Sequence, residues 1–283
     1  MTPRVREILN WYGSENPGVL NHLARIMNSG QLKGSGKIVI LQADQGLETG
    51  VANSFAKNPD SYDPCYHIEL AIEAKCNAFM APLGALESGA RDYAGEIPFI
   101  LKLSHFQTMN SEIENALRLG CSGLGLSRVS GWNNQVMNLM SEAKKAGLVI
   151  LMDIQPDEPL DLMTNAAHMA AQLGVHIVNV GIPTDELALD KNQLIYKTHG
   201  IKISKLADRS RHLIQSCFSG KRILLFSGDE FKPPEVLLSE VSQTVQGGAF
   251  GGVMGRNAFQ RSKKEAIQLL QNVMDGYAGR NLI

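Results

Sequence analysis

Eight short runs rich in Val, Ile and Leu alternate along this chain with amphipathic stretches of about ten to eighteen residues, the pattern of βα units around a parallel sheet. The runs are Ile38 to Ala43, Ala78 to Pro82, Phe99 to Leu103, Gly123 to Leu126, Val149 to Met152, His176 to Val180, Ile223 to Phe226 and Gly252 to Met254. Helical spacing predicts helices over His67 to Cys76, Glu112 to Leu119, Asn134 to Ala146, Leu162 to Leu173, Ser204 to Cys217, Pro234 to Val245 and Lys263 to Tyr277. Gly120, Gly147, Gly174 and Gly220 stand where a left-handed C-terminal cap is favoured. Two further helical stretches, Val5 to Trp11 and Gly18 to Met27, precede a Gly-Ser-Gly at Gly34 to Gly36. Eight strands within 283 residues fit a TIM (β/α)8 barrel better than a doubly wound sheet. The expected organisation is an N-terminal helical extension over residues 1–36 and a single barrel domain over 37–283.

Composition narrows the partners. Lys and Arg number 27 against 28 Asp and Glu, so no net field draws the chain to nucleic acid or to an anionic membrane. No stretch reaches the roughly 20 apolar residues that cross a bilayer. The start, MTPRVREILNWYG, lacks the apolar core of a signal peptide, and a cytoplasmic protein is expected. Cys65, Cys76, Cys121 and Cys217 are irregularly spaced with no Cys-x-x-Cys pair, so reduced, mostly buried thiols are expected and no metal site. No Gly-x-Gly-x-x-Gly opens a helix after the first run, which argues against a dinucleotide cofactor.

In a barrel, polar residues at the C-terminal ends of strands carry the chemistry. The first run ends at Asp44, which can act as a general base, orient a cation or accept backbone hydrogen bonds in the turn. Lys102 interrupts the apolar third run, and alternation sets it on the opposite face from Phe99, Leu101 and Leu103. Such a lysine either pairs with Asp44 in the barrel mouth, faces solvent or serves as an imine-forming nucleophile. His105 lies beyond the strand as a loop histidine. After the last two runs come Ser227-Gly228-Asp229 and Gly255-Arg256, glycine turns of the kind that cradle phosphate, with Asp229 opposing an anion. Two long segments, Leu47 to Pro64 and Pro183 to Lys202, are candidate walls of the mouth or subunit contacts.

Several runs together resemble the archaeal-type class I fructose-bisphosphate aldolases, particularly their bacterial members, within the Schiff-base aldolase superfamily. They are Asp44-Gln45-Gly46, Ala52 to Ala56 with Asn58-Pro59, Glu69 to Ala74, Ile100 to Leu103, Ala166 to Ala170, Pro183-Thr184-Asp185, Arg211-His212 with Gln215-Ser216, Phe226 to Gly228 and Met254 to Arg261. The resemblance spans nearly the whole chain. It implies a TIM barrel, usually in a homo-oligomer, that reversibly cleaves fructose 1,6-bisphosphate to glyceraldehyde 3-phosphate and dihydroxyacetone phosphate. The reaction it implies runs through a lysine imine, without metal or cofactor.

The resemblance also marks departures. Asn179 stands where the family has its imine lysine, and Gly181 where it has a second lysine. Ile154 is the best match to the family's catalytic tyrosine, with Asp153 a new carboxylate beside it. Asp44, Lys102, Ser227, Gly228, Gly255 and Arg256 remain. An amide cannot form an iminium, so the standard activity is expected to be reduced or lost. The alternatives are a non-catalytic paralogue that binds metabolites or supports assembly, and an aldolase that uses Lys102 on a different substrate.

Overall fold

A computed structural model describes residues 1–44, 50–103, 111–127, 134–154, 158–228 and 230–280. Its centre is a closed barrel of eight parallel strands in sequence order. They are β1 (Ile38–Gln42), β2 (Ala78–Ala81), β3 (Phe99–Leu103), β4 (Gly123–Ser127), β5 (Val149–Asp153), β6 (Ile177–Gly181), β7 (Ile223–Ser227) and β8 (Gly251–Met254). All eight expected strands are present. All seven helices expected in the barrel form as well, with shifted ends: Pro64–Glu73 and Leu160–Gln172, for example, each begin earlier than the spacing suggests. Proline at a first helical turn explains one of these shifts, since Asp63 accepts from Cys65 N and caps the Pro64 helix. Short helices at Val51–Phe55, Leu83–Gly89, Asp190–Thr198 and Arg256–Phe259 had no periodic signal of sufficient length.

Period-two alternation divides the strands' side chains between two clusters. Val39, Leu41, Phe79, Leu101, Ile150, Val178 and Leu224 pack beneath the outer helices. Ile38, Ile40, Met80, Ile100, Leu151, Ile177 and Leu225 face the barrel interior. The interior cluster continues into the two N-terminal helices, α1 (Pro3–Asn10) and α2 (Pro17–Met27), through Val5, Ile8, Val19, Leu23 and Ile26. Thr2 and Asn16 cap these helices by accepting from Val5 N and Val19 N, and Pro3 and Pro17 set their first turns.

Tyr12 fixes this pair against the N-terminal ends of the strands. Its hydroxyl donates to the His176 carbonyl at 2.6 Å and accepts from Ile223 N at 3.0 Å. The apolar floor of the barrel is thereby covered, which leaves the opposite, C-terminal end for polar side chains. Gly120, Gly147, Gly174 and Gly220 adopt positive φ after their helices, as expected of such caps.

Candidate active site

Inward positions at the strands' C-terminal ends carry Gln42, Lys102, Asp153, Asn179 and Ser227, one each from β1, β3, β5, β6 and β7. These residues and Asp44 are joined by hydrogen bonds and ion pairs. Gln42 Nε2 donates to Asp44 Oδ2 at 2.6 Å. Lys102, only 3% exposed, pairs with Asp153 Oδ2 and lies 3.9 Å from Asp44 Oδ2. The other oxygen of Asp153 accepts from Asn179 Nδ2 at 3.0 Å, and the same Nδ2 donates to Ser227 Oγ at 3.2 Å. Ser227 in turn donates to the Val180 carbonyl at 3.3 Å.

Glycine on β4 makes room for the lysine. Gly125 pairs in register with Lys102, and a Cβ placed there would sit 2.5 Å from Met80 Sδ and 3.4 Å from Lys102 Cδ. The neighbouring strand therefore contributes no side chain to the layer in which Lys102 lies.

The charges decide what this network does. Two carboxylates stand beside one ammonium, so opposite charges meet at the centre of the mouth. Burial pushes the Asp44 carboxyl above its usual value, although the Lys102 ammonium and the Gln42 amide pull it down. Its nearness to Asp153 raises it further. Asn179 is 4% exposed, and its Oδ1 has no hydrogen-bond partner among the described residues. The amide orientation follows from Asp153, because turning Oδ1 toward a carboxylate would set two acceptors against each other.

Ile154, expected at the place of a catalytic tyrosine, is not brought into the mouth. Its side chain is 2% exposed and packs in the outer cluster, while its N–H donates to the Asn179 carbonyl at 2.8 Å. Alternation is the reason: Val149 and Leu151 face inward, so the next inward residue is Asp153. Asp153, in sequence only a carboxylate beside Ile154, is thus central to the site. Extending the fifth run by one residue and counting in twos would have found it. Gln42 carries the same signal on β1.

The candidate phosphate side lies at the ends of β7 and β8. Gly255 caps the short Arg256–Phe259 helix, and its carbonyl accepts from Ala258 N at 2.8 Å. Asn257 ties this turn to the preceding loop: it donates to the Glu230 carbonyl at 2.6 Å and accepts from Lys232 N at 2.8 Å. It also donates to the Gly228 carbonyl at 3.4 Å. The Arg256 guanidinium is half-buried and has no hydrogen-bond or ion-pair partner among the described residues. Asp229 and His105 lie outside the described residues.

Both long segments pack close to the barrel. In the first, Asn58 Nδ2 donates to the Phe259 and Arg261 carbonyls, each at 2.8 Å, which docks it beside the β8 turn. In the second, Ala188 N, Leu189 N and Asn192 Nδ2 donate to Asp161 of the Leu160–Gln172 helix. No group of three or more potential metal ligands occurs among the described residues, and no described helix is long and apolar enough to cross a membrane.

Fold and site define a TIM-barrel protein with a lysine buried among carboxylates, an amide and a hydroxyl at the C-terminal mouth of its strands. The DeoC/LacD family aldolase profile matches residues 38–119. A probable fructose-bisphosphate aldolase class 1 from Chlamydia muridarum is 31% identical, over 93% of this chain and 85% of the relative. The chain belongs to the class 1 fructose-bisphosphate aldolase family.

Solved structures share the fold. A fructose-bisphosphate aldolase from Slackia heliotrinireducens superposes with a TM-score of 0.74 at 19% identity, covering 94% of this chain and 87% of that one. An archaeal fructose-1,6-bisphosphate aldolase, solved with its catalytic Lys covalently bound to the carbinolamine intermediate of its substrate, gives 0.68 at 24% identity. That match covers 86% of this chain and 94% of the archaeal one.

Proposed function

We propose that this chain is an aldolase-family barrel that binds a small sugar phosphate at its mouth, and in which imine-dependent cleavage of fructose 1,6-bisphosphate is lost or strongly reduced. The carrying observation is the inward end of β6, where Asn179 is held through Nδ2 by Asp153 and Ser227. An amide nitrogen has its lone pair delocalised and does not condense with a ketone. The nearby amine, Lys102, is paired with Asp153. Ser227, Gly228, Gly255 and Arg256 are the groups proposed to hold the phosphate, and Arg256 supplies the cation for a charge-assisted bond.

Borohydride reduction with dihydroxyacetone phosphate or fructose 1,6-bisphosphate, read by intact mass and peptide mapping, tests this reading. The expected result is no adduct on the wild-type chain, together with salt-sensitive sugar phosphate binding by calorimetry.

A second reading keeps an aldolase that uses Lys102 on a different substrate. It is favoured by Asp44, whose carboxyl is held above its usual value by desolvation and lies 3.9 Å from the amine, within reach to act as its acid/base partner. An adduct mapped to Lys102 establishes this reading and overturns the first.

A homo-oligomer is also proposed. Leu194 and Ile195 are exposed on the Asp190–Thr198 helix, which has no buried residue, and Leu189 is exposed beside it. Light scattering on the full chain measures the state directly.

A further inference from the structure

At the end of the barrel opposite the mouth, Gly30, Gln31, Lys33, Lys75, Asp275 and Arg280 line a pocket of about 490 Å³. Three segments meet there: the turn that leads from α2 into β1, the turn from the Pro64–Glu73 helix into β2, and the end of the C-terminal helix Lys263–Tyr277. Its charge is unbalanced. Asp275 is engaged by Arg280 at 2.6 Å and by Gln31 Nε2 at 2.7 Å, while Lys33 and Lys75 have no carboxylate partner among the described residues. Lys33, Lys75 and Arg280 thus bring three cations to one concave site against the single carboxylate of Asp275 among the described residues.

The backbone beneath Lys75 adds an independent observation. After the helix Glu112–Arg118 the chain runs Leu119, Gly120, Cys121 and Ser122 into β4, and Gly120 has φ +65°. After Leu160–Gln172 it runs Leu173, Gly174, Val175 and His176 into β6, with Gly174 at φ +82°. The turn before β2 has the same spacing, Ala74, Lys75, Cys76 and Asn77, but lysine occupies the left-handed position at φ +63°. Glycine is the unstrained residue there, so the turn itself does not require the lysine side chain.

The surrounding chain holds this turn in place. Gln31 N donates to the Lys75 carbonyl at 2.8 Å, and Asn77 Nδ2 donates to the Ser29 carbonyl at 2.8 Å. A Cβ on Gly30 would sit 2.3 Å from that same carbonyl oxygen of Lys75, so only glycine allows the two turns to approach so closely.

We propose that this pocket binds a small metabolite bearing a diphosphate or two phosphate groups, at a site separate from the mouth. Compact ammonium charges suit phosphate oxygens, and an anion bridging Lys33, Lys75 and Arg280 relieves their mutual repulsion. The volume exceeds what one phosphate fills and falls in the range of roughly 300–1,000 Å³ usual for small-molecule sites.

Inorganic pyrophosphate is the probe, titrated calorimetrically into the full chain at low ionic strength. The expected result is a binding step that survives Arg256→Gln at the mouth and is weakened about ten-fold or more by Lys75→Gly or Lys33→Gln. Lys75→Gly installs the residue this turn prefers, and an unchanged or raised melting temperature confirms that the variant is folded. Absence of binding, binding abolished by Arg256→Gln alone, or binding unaffected by both lysine variants overturns the proposal. So does displacement by equimolar chloride, which would show only diffuse ion attraction.

Discussion

Ile154 N donates to the carbonyl of Asn179, yet the two side chains face opposite layers, Asn179 into the mouth and Ile154 under the helices. The difference separates two substitutions that sequence alone would treat alike. Asn179→Lys restores an amine at the inward end of β6, and a slow borohydride-trappable adduct is expected at position 179. Gly181→Lys added to it should speed trapping, since a second cation favours the neutral amine. Ile154→Tyr should add nothing to the trapping rate and destabilise by about 1–3 kcal/mol through overpacking, measured by denaturant midpoint. Lys102 and Asp153 form a second residue-scale test. Asp153→Ala leaves the buried ammonium without its nearest acid and is expected to cost about 3–5 kcal/mol. Lys102→Met combined with Asp153→Leu should recover most of that loss in urea unfolding. Lys102 was legible because it interrupts an apolar run on a known face. Asp153 was not, because the run before it ends in Met152 and its partner Lys102 is 51 residues away.

At the scale of elements, a polar seam at the edge of the apolar floor joins the chain between the N-terminal helices to the start of β6. His176 Nδ1 accepts from Ile150 N at 2.8 Å, so in the neutral ring Nε2 carries the proton and lies 3.3 Å from Glu15 Oε1. Lys144 donates to the same Glu15 oxygen at 3.0 Å. The adjacent His176 imidazole, with Lys144, holds the Glu15 carboxyl down to about 2 against the effect of burial. Burial also lowers the His176 pKa despite Glu15, and Lys144 and Arg222 add to that lowering. Both groups have folded values below their unfolded ones, so both contribute stability that is present at neutral pH and lost on acidification. The Glu15 share is complete above about 4.5 and declines as the pH falls toward 2. The melting temperature is therefore expected to drop across that interval, and Glu15→Gln should flatten the drop in calorimetric scans. A wild-type curve already flat there would contradict the pairing. The helices themselves were readable from their spacing. Their attachment to β6 was not, since the Tyr12 hydroxyl donates to the His176 carbonyl across 164 residues, a contact that no local pattern encodes.

For the whole molecule, one apolar interior runs from Val5 and Ile26 through Ile38 and Ile223. Removing residues 1–28 uncovers that floor, and the expected outcome is loss of the cooperative thermal transition with strong binding of a hydrophobic dye. A sharp transition in the truncated chain would show that the barrel stands alone. Period and punctuation determined the architecture from the amino-acid order. Alternating apolar runs set eight strands, helical spacing set the outer layer, and glycines after the helices set the turns, because each depends on residues within a few positions of one another. The nature of the mouth depended on closure of the barrel. Only when β1, β3, β5, β6 and β7 are curved into one ring do Asp44, Lys102, Asp153, Asn179 and Ser227 come within hydrogen-bonding or ion-pair reach. Whether a buried lysine is a nucleophile or a paired ammonium depends on the charges beside it in space, and tertiary structure alone sets those neighbours.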